Sequence, residues 1–168
     1  MPIYPAAVEH IEMDFLITGL PGAAFRPLFD LTQTELAQRG AVRKIADRCP
    51  GYPCRVSLCD AQLGEDVLLL NYEHLAVPGP YRSRHAIFVR QAATDARLAI
   101  NEIPQSLQIR LLSLRAFDAA GMMVEADVLP GGDLGGAIRR MLDNRSVDFL
   151  HVHNAKHGCY AARVDRAP

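Results

Sequence analysis

The sequence predicts an α+β fold, a largely antiparallel sheet covered by one or two helices. Three features of the chain point there. Short apolar or alternating runs recur at 13–18, 67–72, 86–90, 107–117, 122–129 and 147–164. Polar links rich in Gly and Pro join most of them, which favours hairpins over long crossovers. Helix-start signals fall at only two places, Thr32 and Asp133.

Residues 13–18 read as a first strand and 19–22 as the turn after it. Phe25, Leu28, Phe29 and Leu31 supply apolar bulk for a short helical turn. Thr32 with Glu35 three residues on is a capping-box signature for a helix to Arg39, which Gly40 ends. A short strand is expected at 41–46, and 48–53, with two prolines and a glycine, is a loop. After residues 54–58 and a polar turn, 67–72 reads as a buried strand that gives way to the polar run Asn71 to His74. A break at 77–80 precedes a strand at 86–90, and 91–107 carries no motif. Strands at 107–117 and 122–129 form a second hairpin. Asp133 is placed to cap a helix over 134–142, with Leu134, Ile138, Met141 and Leu142 on its inner stripe.

At 168 residues and 49% hydrophobic, the chain can build one full-sized core, so 1–168 is expected to be a single domain. Basic and acidic residues, 18 against 19, nearly cancel. Nonspecific nucleic-acid binding needs a positive excess, so no nucleic-acid partner is expected. Arg outnumbers Lys 16 to 2, a bias that G- and C-rich coding produces as readily as a need for anion forks. No apolar run approaches the roughly 18 residues that cross a bilayer. The opening Met-Pro-Ile-Tyr-Pro lacks the pattern of a secretory leader. The expectation is a cytoplasmic protein with no membrane partner and with its four cysteines reduced. Cys49, Cys54 and Cys59 have a spacing that matches no paired zinc pattern.

The chemistry concentrates at the end of the chain, where residues 147–164 hold three of the six histidines and Cys159. Alternation puts Val147, Phe149, His151 and His153 on one face and Leu150, Val152 and Asn154 on the other. Asn-Ala-Lys-His-Gly at 154–158 reads as a hairpin loop. The return strand then sets Cys159 about one residue from the position opposite His153.

Five stretches together resemble the bacterial family called domain of unknown function 1203. They are Phe25-Arg-Pro-Leu-Phe29, Gly51-Tyr-Pro-Cys-Arg-Val-Ser57, Val67-Leu-Leu-Leu-Asn-Tyr-Glu-His74, Pro80-Tyr-Arg-Ser-Arg-His-Ala-Ile-Phe-Val89 and His153-Asn-Ala-Lys-His-Gly-Cys-Tyr-Ala-Ala-Arg-Val-Asp165. That family brings no activity, so the resemblance implies a small bacterial single-domain protein. It also implies that Cys54, Arg55, Asn71, His74, Tyr81, Arg82, His85, His153, Asn154, Gly158 and Cys159 hold the characteristic positions, with Cys49 and Cys59 outside them.

These residue types allow three chemistries. The first is an enzyme acting on a small anionic molecule, with Cys159 as nucleophile activated by His153 across the hairpin and His85 as a further catalytic candidate. Arg55 and Arg82 are its anion forks, and Asn71, His74, Tyr81 and Asn154 its other substrate-binding candidates. The bland alternative is that Cys159 is a small buried apolar residue. The second is a metal-dependent hydrolase, with a divalent ion on His151 and His153 and His74 or His85 as third ligand. Strand histidines are more often hydrogen-bonded packing residues, and no His-Glu-x-x-His signature is present. The third is a noncatalytic anion-binding module built on Arg55, Arg82, Arg84 and His85, with a tyrosine wall.

Overall fold

The computed structural model describes residues 13–168. The N-terminal stretch read above for a leader lies outside them. Strand β1 (Phe15–Thr18) is followed by two 3₁₀ turns and helix α1 (Gln33–Gln38), then by β2 (Ala41–Ile45), β3 (Asp66–Leu75) and β4 (Ser83–Arg90). Helix α2 (Gln105–Gln108), β5 (Leu111–Phe117), β6 (Met123–Pro130), α3 (Leu134–Asp143), β7 (Phe149–Asn154) and β8 (Tyr160–Arg166) complete the order.

The fold mixes short helices with antiparallel strands, as expected, but the strands form two sheets rather than one. Five lie in the order β1-β8-β7-β5-β6 and three in the order β2-β3-β4. The free edge of β4 meets an irregular segment instead of a strand of the larger sheet. Arg55 N–H donates to the Phe88 carbonyl at 3.0 Å, while the Arg55 carbonyl accepts from Leu20 N–H at 2.7 Å. One residue therefore stitches the small sheet to the chain leaving β1. Gly19 permits that approach, because a Cβ there would lie 2.5 Å from the Val56 oxygen and 2.9 Å from the Arg55 oxygen.

Helix α3 lays Leu134, Ile138, Met141 and Leu142 on the larger sheet, against a core that includes Leu112, Leu114, Leu150, Val152 and Val164. Each such burial contributes roughly 1.5–3 kcal/mol. Asp133 makes no side-chain cap; a 3₁₀ turn at Gly131–Asp133 leads into the helix instead. The Thr32 box does form, with Thr32 N–H donating to Glu35 Oε2 at 2.8 Å and Glu35 N–H to Thr32 Oγ1 at 3.3 Å. A second core joins Phe25, Phe29, Leu36, Leu68, Leu70, Ile87 and Val89 to Tyr160 of β8. Tyr160 thus ties the larger sheet to the smaller one.

Two boundaries differ from expectation in ways that shape the site. The strand expected to end near residue 72 continues to Leu75, because Asn71, Tyr72 and Glu73 all find backbone partners on β4. Residues 107–110 turn helically before β5 rather than extending it. No helix among the described residues is long and apolar enough to cross a membrane.

Candidate functional site

Two β-bulges assemble a histidine cluster. In β3 Glu73 pairs with Arg84 and Leu75 with Ser83, so His74 is an extra residue with nothing opposite. Between β7 and β8 the register slips from Val152 with Ala162 to His153 with Tyr160, leaving Ala161 over. Bulges bend a strand and re-aim its side chains. Here they face His74 of the small sheet toward His151 and His153 of the large one.

One ligand nitrogen from each of these rings lies within 4.8 Å of the other two. His74 stacks on Tyr160 with centroids 5.1 Å apart and planes 9° apart, and meets His153 edge-on at 5.0 Å. Phe117 and Phe149 close the side next to His151, at 5.5 and 5.1 Å. His151 and His153 are only 2% and 1% exposed. His153 Nδ1–H donates to the Gly158 carbonyl at 3.0 Å, which fixes the tautomer and leaves Nε2 as the lone pair. That Nε2, His74 Nδ1 and His151 Nδ1 are buried without a hydrogen-bond partner among the described residues.

Burial is the main cause that holds all three rings neutral. It pushes His151 and His153 down to about 3 and His74 to about 4, with Arg115 adding to the depression of each. For His153 the bond to Gly158 opposes the shift. Arg115 stands across from His151 in the ladder between β5 and β7, and its guanidinium bonds Ser113 Oγ at 3.2 Å. Strand parity could have marked Arg115 from the sequence, since Leu112, Leu114 and Ala116 alternate with it and face the core.

Beyond the β7–β8 loop a cleft of about 1020 Å³ opens, and Arg55, His85, Asn154 and Cys159 all line it. Arg48, Arg110, Lys156 and His157 add to its rim, and no Asp or Glu is among its lining residues. Arg110 is paired to Asp60 at 2.6 Å and Arg48 to Asp47 at 3.3 Å. Among the described residues Arg55 has no such partner. Only 2% exposed, it donates from Nε to the Tyr160 carbonyl at 2.6 Å, from one terminal nitrogen to the Pro53 carbonyl, and from the other to Cys159 Sγ at 3.0 Å. Burial lowers its pKa, opposed first by Cys159. Asn154 Nδ2 also donates to Cys159 Sγ, at 3.5 Å, while its Oδ1 is buried and unpaired.

The Cys159 thiol therefore lies against Arg55 and Asn154, not against His153 as expected. The register sets His153 opposite Tyr160, and Asn154 N–H donates to the Cys159 carbonyl at 2.9 Å. Neighbouring strand residues face opposite ways, so a one-residue offset turns the sulfur from that imidazole. His85 and His157 are the two imidazoles that line the cleft; His85 Nδ1–H donates to the Ala86 carbonyl at 3.3 Å, leaving Nε2 as acceptor. His74, expected either in the substrate pocket or as a third histidine beside His151 and His153, takes the second place, and His85 stays apart in the cleft.

Three other candidates lie elsewhere. Asn71 is exposed on β3. Arg82 is an exposed fork already engaged by Glu73 at 2.6 and 3.3 Å, and Tyr81 packs on Phe117 at 6.2 Å. Residues 81–85 straddle the start of β4, where alternation separates Arg82 and Arg84 from His85. Cys54 is core, its sulfur accepting from Arg90 N–H at 3.4 Å. The sequence reading passed over Lys156 and Arg110, which only the folding of separate loops around the cleft brings together.

The family described as Protein of unknown function (DUF1203) matches residues 51–166. The chain belongs to this family. The matched span holds every residue of the histidine cluster and of the cleft floor. No curated protein and no solved structure matches the chain.

Proposed function

We propose that the cleft binds a small anionic molecule and that Cys159 is the group that reacts with it. The observation that carries this reading is Arg55, a guanidinium buried without a carboxylate and aimed at a cysteine sulfur. A buried cation without a counter-charge costs several kcal/mol. Its retention at the floor of a cleft without acidic lining supports an anionic occupant, with Lys156 and Arg110 as the outer attraction. Both neighbours of Cys159 donate to its sulfur, and the anionic form of a thiol is the better acceptor and the nucleophile. His85, with its Nε2 acceptor in the same cleft, is the proton carrier. Noncatalytic anion binding is the alternative outcome of the same test.

Iodoacetate against iodoacetamide is that test. Both form a carbon–sulfur bond and release iodide, but an ordinary thiolate repels the carboxylate of the first and so reacts faster with the neutral second. Peptide mass spectrometry after partial alkylation ranks Cys159 against the exposed Cys49 and Cys59 of the same molecule. The expected result is a preference for iodoacetate at Cys159 alone, about tenfold above the other two, equivalent to about 1.4 kcal/mol. Inorganic phosphate should suppress it, and Lys156→Ala should reduce it. A rise in the thermal midpoint with phosphate while Cys159 resists both reagents would leave a binding module. No preference and no phosphate effect would remove the cleft from consideration.

A further inference from the structure

We infer that His74, His151 and His153 form a binding site for a first-row transition-metal ion of the zinc and copper class. This goes beyond the reading of the cleft and stands without it. Three imidazoles from two sheets bring one nitrogen each within 4.8 Å of the others. Tetrahedral ligation at about 2.0–2.1 Å requires nitrogens roughly 3.4 Å apart, so small ring rotations close the set.

The second observation is that each of the three rings holds a buried nitrogen with no hydrogen-bond partner among the described residues. His151 Nδ1 and His153 Nε2 belong to side chains 2% and 1% exposed, and neither has a hydrogen-bond partner. A buried polar atom left unpaired costs about 1–3 kcal/mol, and bearing that cost in each of three neighbouring rings has a physical reason if an ion completes them. The Gly158 carbonyl supplies the outer bond that ligating histidines ordinarily make, holding His153 with Nε2 presented inward.

Donor chemistry sets the class of ion. Three neutral imidazoles with no carboxylate among them suit zinc or copper and do not suit calcium or magnesium, which take oxygen. Three protein ligands leave a fourth position open. Arg115 and Arg163 act on the cluster as cations, which disfavours a bare dication and favours an anion as its further ligand. Tyr160, stacked on His74, and Phe117 and Phe149 beside His151 limit water around it.

The test is cobalt(II) added to the purified, chelator-treated full chain. The expected result is one ion per chain with the visible bands of a four-coordinate nitrogen site, displaced by zinc. His74→Ala, which removes the least buried ligand, should weaken binding by more than about 10–100-fold, the loss typical of disturbing even an outer partner. A circular-dichroism spectrum matching the parent shows that this variant folds. The double variant His85→Ala and His157→Ala, which removes both imidazoles of the cleft, should bind as the parent does. The inference is overturned if cobalt, zinc and copper all fail to bind, or if binding survives His74→Ala.

Discussion

Removing Cys159 should destabilise the protein far more than loss of a small apolar group would. Cys159→Ala takes away the acceptor that Arg55 meets at 3.0 Å and leaves a guanidinium buried with one donor unmet. Leaving one donor of a buried cation without its acceptor costs about 3 kcal/mol, the upper end for an unmet polar group because the donor is charged. Arg55→Met removes the cation itself and its desolvation cost, but orphans the Pro53 and Tyr160 carbonyls at about 1–3 kcal/mol each. With the cation gone, Cys159→Ala costs only thiol packing, about 1 kcal/mol. The coupling between the substitutions is then about 2 kcal/mol. Urea unfolding of the four proteins of the cycle measures it, in a background where the exposed Cys49 and Cys59 are serine. Additivity within about 0.5 kcal/mol would show that Arg55 and Cys159 do not form a unit, and the charge reasoning behind the cleft would fail.

The buried histidines make acid stability a second expectation. His151 and His153 are held near 3 and His74 near 4, against an ordinary value of 6.5, so below that value the unfolded chain binds more protons than the folded one. The stability they contribute is complete above about pH 6.5 and is lost as pH falls toward about 3. For His151 and His153 together the slope is about 2.7 kcal/mol per pH unit between those limits. Urea midpoints of metal-free protein across this range should show it, and a flat profile between about pH 6 and pH 5 would contradict the burial argument. Gly158→Ala should cost about 1–2 kcal/mol in thermal unfolding, because φ there is 74°. The new methyl meets only His85 Nε2 at 3.9 Å, so the fold should survive and a neutral result would refute the strain. Arg82→Ala, losing an exposed ion pair, should change stability by less than about 0.5 kcal/mol. Its iodoacetate preference at Cys159 should match the parent's, and loss of that preference would return Arg82 to the site.

Local rules made much of the molecule legible. Alternation placed His151 and His153 on one face, a capping box began α1 at Thr32, and the apolar stripe of α3 pointed Leu134, Ile138, Met141 and Leu142 inward. The polar run at 154–158 marked the β7–β8 turn. Each depends on residues a few positions apart, which the backbone relates by fixed geometry. Division into two sheets does not, because a strand's hydrophobic pattern sets its buried face but not its neighbour. The same limit left the third histidine open between His74 and His85: a bulge at Glu73 and Leu75 carries His74 across to β7, seventy-odd residues away in sequence. Spacing did set Cys159 one residue from the position opposite His153, but it gave no sign that Arg55, from a distant segment, meets the sulfur there. The sequence by itself thus determined which chemical groups are available and which local faces they share. Only the tertiary structure decided that three histidines meet in one place and that a lone arginine meets a cysteine in another, because register and sheet pairing are settled by packing across the whole chain.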